Sequence, residues 1–274
     1  MALIRMNMMS RALNMSTAVT VILPGIPGSR FQQTEISDYY RRGMKYQVLW
    51  LLHGGGGDEM DYIRYTSLER YAEENCLMVV TPAAMNSSYC DTPYGQNHWL
   101  HLTDELWHMA HQCFPASEKR EDNFVMGLSM GAHGAFKYGV NFPKRFSNVV
   151  CMSGGGFSLS FLDRVLAEGK REFAPVFGSI ERIRGTCDDV FDAARKNISR
   201  DAAPSFYFPV GGDDFIRPVA QESADLLRGL GAQVCYEEVA GYGHAWNFWD
   251  RMLKTVIEEK LPLKRSPIYL EEQT

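Results

Sequence analysis

The chain has 274 residues, 45% of them hydrophobic, with 28 Lys and Arg against 33 Asp and Glu for a net charge of −5. That is enough apolar material for one large α/β core. No basic stripe points to nucleic acid, no long run of like charge to a disordered tail, and no stretch reaches the roughly 18 apolar residues that cross a bilayer.

Residues 1–25 read as an antiparallel strand pair, "ALIRMNMM" and "TAVTVILP", added at a sheet edge. The Met-rich start is broken by Arg5, Asn7, Arg11 and Asn14, so it lacks the continuous apolar core of a secretion signal, and a cytoplasmic location is expected. The six cysteines are scattered without a C-x-x-C pair and are expected to be free, mostly buried thiols. Next come "YQVLWLLHG" (46–54) and "CLMVVTPA" (76–83), both strand-like. "HLTDELWHMAHQCF" places Leu102, Leu106, Met109 and Cys113 on one helix face. His101, Asp104, His108 and His111 share the opposite face, with His98 just before. Histidines at helical spacing can ligate zinc, but a solvated surface is the expectation, and no metal or cofactor is expected.

"NFVMGLS" (123–129), "FSNVVCMSG" (146–154), "SFYFPVGG" (205–212) and "QVCYEEVAG" (233–241) complete the strand candidates. Four of the six runs from residue 46 onward are nearly continuous in apolar residues, as in parallel strands covered on both faces. "PVAQESADLLRGLG" reads as a helix stopped by Gly229 and Gly231, and "AWNFWDRMLKTVIEEKL" as a helix with one apolar side. Strand–helix alternation predicts an α/β fold with a mostly parallel, doubly wound sheet of about eight strands, residues 1–274 forming a single domain. Residues 157–200 are too long for an ordinary connection and read as a lid-like insertion over the carboxyl edge of the sheet, where such folds bind ligands. Phe157, Phe161, Leu162, Phe173 and Phe177 are its candidate walls.

Gly127-Leu128-Ser129-Met130-Gly131 matches G-x-S-x-G between a strand and a helix. That context raises a serine hydroxyl above the sheet on a strained turn. A serine needs a base. His133 lies one helical turn below Ser129 and reads as a packing residue, leaving His244, in "AGYGHAW", as the only later histidine. The acid belongs at the end of the preceding strand, where "FPVGGDDF" offers Asp213 and Asp214, with Asp214 preferred. In these roles His244 deprotonates Ser129 and Asp214 fixes the imidazole. "LLHGGGGDEMDY" lets a backbone approach closely, with no Lys-Ser or Lys-Thr pair to make it a phosphate loop. The N–H groups of Gly55 and Met130 are the candidate oxyanion donors, and His53 reads as a residue holding that loop.

On "VLWLLHG", "DTPYGQNHW", "MGLSMGAHGAFKYG" and "GYGHAWNFWD", the chain resembles the bacterial tributyrin/acetyl esterases, α/β-hydrolases grouped with esterase D, S-formylglutathione hydrolase and carbohydrate esterase family 1. The resemblance covers nearly the whole chain. It implies an α/β-hydrolase fold with Ser129 as nucleophile, His244 as base and Gly55 as an oxyanion amide. Its G-x-x-D-F segment falls on Gly211–Phe215, which favours Asp214. The run after His53 is all glycine, where S-formylglutathione hydrolases usually carry a Cys. The expected activity is hydrolysis of short-chain, acetyl-like esters of small molecules. A feruloyl or other carbohydrate-linked esterase and a thioesterase are the alternatives, with Tyr94, Trp99, Trp246 and Phe248 as aromatics near the site. A non-catalytic scaffold is disfavoured because Ser, Asp and His are all present. No nucleic-acid or membrane partner is expected, and a homo-oligomer is allowed.

Overall fold

The computed structural model describes residues 1–269. Eight strands form one sheet: β1 (Ala2–Ser10), β2 (Met15–Leu23), β3 (Gln47–Leu52), β4 (Leu77–Pro82), β5 (Asn123–Leu128), β6 (Asn148–Met152), β7 (Ser205–Gly211) and β8 (Val234–Val239). Their order is β1-β2-β4-β3-β5-β6-β7-β8. β1, β2 and β4 pair antiparallel, and every pairing from β4 to β8 is parallel. β3, β4 and β5 are buried along their whole length, which is why their sequences are continuous in apolar residues instead of alternating.

The main helices are α1 (Leu68–Glu74), α2 (Leu106–Cys113), α3 (Met130–Asn141), α4 (Leu159–Ala167), α5 (Val190–Asn197), α6 (Arg217–Gly229) and α7 (Trp246–Thr255). Period-two geometry divides the strand residues between two cores. Val48, Trp50 and Leu52 pack with residues of α2, α3, α5 and α6, whereas Leu49 and Leu51 pack with α1 and α7. This three-layer arrangement is the α/β-hydrolase fold. A third, smaller core lies over the carboxyl edge. There Phe157, Leu162, Val165, Val176, Phe177 and Ile183, all from 157–200, join Cys90 and Val219.

Two sequence expectations need correction. The 98–111 segment does not present a solvated histidine face: His98, His101 and His111 are buried, and of the residues expected on that face only Asp104 and His108 are exposed. Residues His101–Glu105 form a π-helical turn, whose i→i+5 bonding adds a residue to the turn and rotates the remainder of the helix. The turn between β1 and β2 then lands on this face. Glu105 accepts the Ala12 N–H at 2.8 Å and the Ser10 hydroxyl, while bonding His101 Nδ1 at 2.9 Å. Of the cysteines, all free, only Cys76, Cys90 and Cys151 are buried; Cys113 and Cys235 are exposed.

Candidate active site

β5 ends at Leu128 and α3 begins at Met130, so the single residue Ser129 makes the whole turn. It does so at φ 53° and ψ −116°, a strained conformation for a residue with a side chain. Such a sharp turn forces the flanking backbones together. A Cβ on Gly127 would sit 2.1 Å from the Gly131 carbonyl oxygen, and one on Gly131 would sit 2.2 Å from that of Leu52. The two glycines of the motif are therefore required by main-chain collisions.

His244 lies in the loop between β8 and α7. Its Nε2 is 2.9 Å from Ser129 Oγ, and its Nδ1 is 3.0 Å from both Oδ1 and Oδ2 of Asp214. The carboxylate accepts at Nδ1, so the proton sits there, and the unprotonated Nε2 accepts from the serine hydroxyl. Asp214 is buried just beyond β7, while Asp213 beside it is exposed. Burial pushes the Asp214 carboxyl up, but hydrogen bonds from His244 and the Ile216 amide outweigh it, leaving the group below its ordinary value. Asp214 thus stays an anion facing the imidazole.

The glycine loop approaches from the other side. A Cβ on Gly54 would lie 3.6 Å from Ser129 Cβ, and one on Gly55 4.0 Å from Met130 Cβ. Neither the Gly55 nor the Met130 N–H donates to a protein acceptor among the described residues. His53 anchors the loop: its Nε2 accepts the Ala84 N–H at 2.9 Å and its Nδ1 donates to the Gly54 carbonyl at 2.7 Å. A cavity of about 480 Å³ opens above Ser129, Gly55 and Met130, walled by Phe157, Phe161, Phe173 and Phe215. The other two expected walls, Leu162 and Phe177, do not line it; they are fully buried in a core cluster with Phe157.

A model of the Esterase family ("Putative esterase") matches residues 32–253. The chain belongs to this family. The esterase is 28% identical over 270 residues to an acetyl esterase of Caldicellulosiruptor saccharolyticus, spanning 94% of this chain and 97% of that one. Among solved structures it is similar to the fluorophosphonate-binding serine hydrolase F (FphF) of Staphylococcus aureus, at TM-score 0.78 and 29% identity, covering 93% of this chain and 96% of that one. It is also similar to the S-formylglutathione hydrolase FrmB of the same organism, at TM-score 0.77 and 30% identity, covering 93% and 97%. The esterase is a carboxylic ester hydrolase of the serine type, in the group that includes the esterase D-like and carbohydrate esterase family 1-like enzymes. No helix among its described residues is long and apolar enough to cross a membrane.

Several titratable side chains of the esterase lie outside the Ser129 arrangement. His133 is fully buried under the turn, accepts the Phe157 N–H at 3.1 Å and stacks on that ring. Burial and the nearby Lys137 charge push its pKa down to about 3. Tyr94 is exposed, Trp99 and Phe248 are core, and neither these three nor Trp246 line the cavity. Sequence reasoning did not pick out Asn86, Arg164 or Lys170, which do line it. Among the described residues no group of three or more His, Cys, Asp or Glu is arranged to hold a metal ion.

Proposed function

We propose that Ser129, His244 and Asp214 form a catalytic triad that hydrolyses short-chain acyl esters through an acyl-enzyme. The observation that carries this is His244 bridging Ser129 Oγ and both carboxylate oxygens of Asp214 at 2.9–3.0 Å. His244 takes the serine proton as Oγ attacks the ester carbonyl, and Asp214 stabilises the imidazolium that results. The oxyanion is received by the N–H groups of Gly55 and Met130, the latter at the N-terminus of α3. His244 then protonates the departing alcohol, and water repeats the sequence on the acyl-serine.

The 157–200 segment serves as the lid that closes the acyl site. Its phenylalanine walls favour an apolar acyl group, and its roof limits length to roughly two to four carbons, although each added buried methylene favours binding by about 0.8 kcal/mol. The four phenylalanines also favour a second reading, an aromatic acyl group such as feruloyl, stacked on those rings.

The test is a p-nitrophenyl ester series of rising chain length beside a feruloyl ester and an acetylated sugar. kcat/KM is expected to peak at the short acyl groups and then fall. A rise out to dodecanoyl refutes the roofed site, and a feruloyl ester outrunning acetyl selects the second reading. Ser129→Ala is expected to lower kcat on the order of 10⁶-fold, the loss seen for serine nucleophiles, with an unchanged melting temperature. Full activity in that variant overturns the triad.

A further inference from the structure

We infer that Asn86 is a positioning residue that holds the Gly54–Gly57 loop in register with Ser129. This rests on the reading of Gly55 and Met130 as oxyanion donors.

The loop has little to hold it by itself. Its own turn closes on one long bond, Gly57 N–H to the Gly54 carbonyl at 3.3 Å, and Gly56 sits at φ 74°. Four successive glycines give a backbone with the widest choice of conformations. A donor that must meet a developing charge within a few tenths of an ångström needs outside support.

That support comes from the segment after β4, through two consecutive peptide units. The unit joining Gly54 to Gly55 is gripped by its carbonyl, which accepts from His53 Nδ1, while His53 Nε2 takes the Ala84 N–H. A trans peptide points its C=O and N–H in opposite directions, so this grip turns the Gly55 N–H away from His53. The next unit is gripped by its N–H: Gly56 donates to Asn86 Oδ1 at 2.6 Å. Asn86 thus fixes the far side of Gly55, and it does so from the cavity wall.

The segment that carries Asn86 is itself held in costly conformations. Met85, Ser88 and Tyr89 have φ of 50°, 49° and 56°. Non-glycine residues in this region persist only where surrounding structure over-determines them. Here the Tyr89 hydroxyl donates to the His53 carbonyl at 3.0 Å, tying the segment back to the loop it supports. Asn86 is exposed, so its side chain contributes little to the core.

The experiment compares wild type, Ser129→Ala and Asn86→Ala on p-nitrophenyl acetate. It adds the affinity of wild type and Asn86→Ala for a short-chain trifluoromethyl ketone, which forms a tetrahedral adduct with a serine nucleophile. Loss of one oxyanion donor costs about 10²–10³ in rate. A misaligned donor is expected to cost less, about 10–100-fold in kcat, with KM nearly unchanged and the ketone affinity reduced by a similar factor. The melting temperature of Asn86→Ala is expected to stay at the wild-type value. Wild-type kcat in Asn86→Ala overturns the inference, as does a raised KM at unchanged kcat, which makes Asn86 a substrate contact. A fall in kcat without loss of ketone affinity also overturns it. Failure of the nucleophile assignment, without which no oxyanion forms at these N–H groups, shows separately, as activity that survives Ser129→Ala.

Discussion

Asp213 and Asp214 are chain neighbours with opposite surroundings. Asp214 is buried, accepts the His244 proton at both oxygens and receives the Ile216 N–H at 3.0 Å; Asp213 faces solvent. Asp214→Asn keeps the shape but removes the acceptor that selects the imidazole tautomer. It is expected to lower kcat about 10⁴-fold, as the same exchange does in a serine protease. Asp213→Asn is expected to remain near wild type in the same assay, and the reverse result would move the acid by one residue. Ser129 and His244 were legible in the sequence, because the main-chain geometry of the Ser129 turn and the chain order of the fold restrict where each falls; these bring the acid only to the Asp213–Asp214 pair, within which the family's G-x-x-D-F segment favours Asp214. Asn86 was not legible. Its contact is made across 30 residues to a backbone N–H, and no residue-type pattern announces such a bond.

Elements were legible in proportion to how far local periodicity decides them. The strands from β3 to β8 follow the apolar runs, and β1 with β2 follows the edge pair. In the 98–113 stretch local periodicity does not decide the exposed face, because a π turn breaks the uniform helical period, and because the β1–β2 turn that bonds Glu105 beside His101 comes from some ninety residues away. The fastening of residues 157–200 was not legible in the sequence. Asp188 of this segment reaches Lys137 on α3, and this lysine, fully buried, also donates to the Tyr89 carbonyl at 3.0 Å and lies 4.0 Å from the centre of the Trp99 ring. Burial pushes the Asp188 carboxyl up, and the lysine charge more than offsets this, holding it below its ordinary value. Lys137→Met removes the cation and leaves a buried carboxylate alone. Breaking such a pair costs about 3–5 kcal/mol, read as a lower urea midpoint and as faster proteolysis within 157–200. Unchanged values for both would mean that the pair does not fasten the segment.

The molecule as a whole carries buried imidazoles that cannot easily take up a proton. Burial and the Lys137 charge lower His133 to about 3, burial and the neighbouring His101 and His53 lower His98 to about 4, and burial lowers His53. In the unfolded chain each titrates near about 6.5. Below that pH the unfolded state binds protons that the folded state refuses, so folding stability falls as pH drops from about 6.5 towards 4. Each imidazole contributes a slope of up to about 1.4 kcal/mol per pH unit. Urea unfolding at pH 7.5 and pH 5 measures this, and His98→Phe is expected to flatten the slope by one proton. Equal stability at the two pH values would refute the account.

The glycines around Ser129 have a consequence for how this protein is free to change over time. When a side chain obstructs a new methyl group, a second substitution elsewhere can trim it and restore the fit. At Gly127 and Gly131 the obstructing atoms are main-chain carbonyls, which every amino acid carries. No compensating mutation exists for either site, so a lineage keeps both glycines for as long as it keeps the turn. The walls of the cavity are under no such restriction, and they are where descendants of this chain are free to diverge in what they accept.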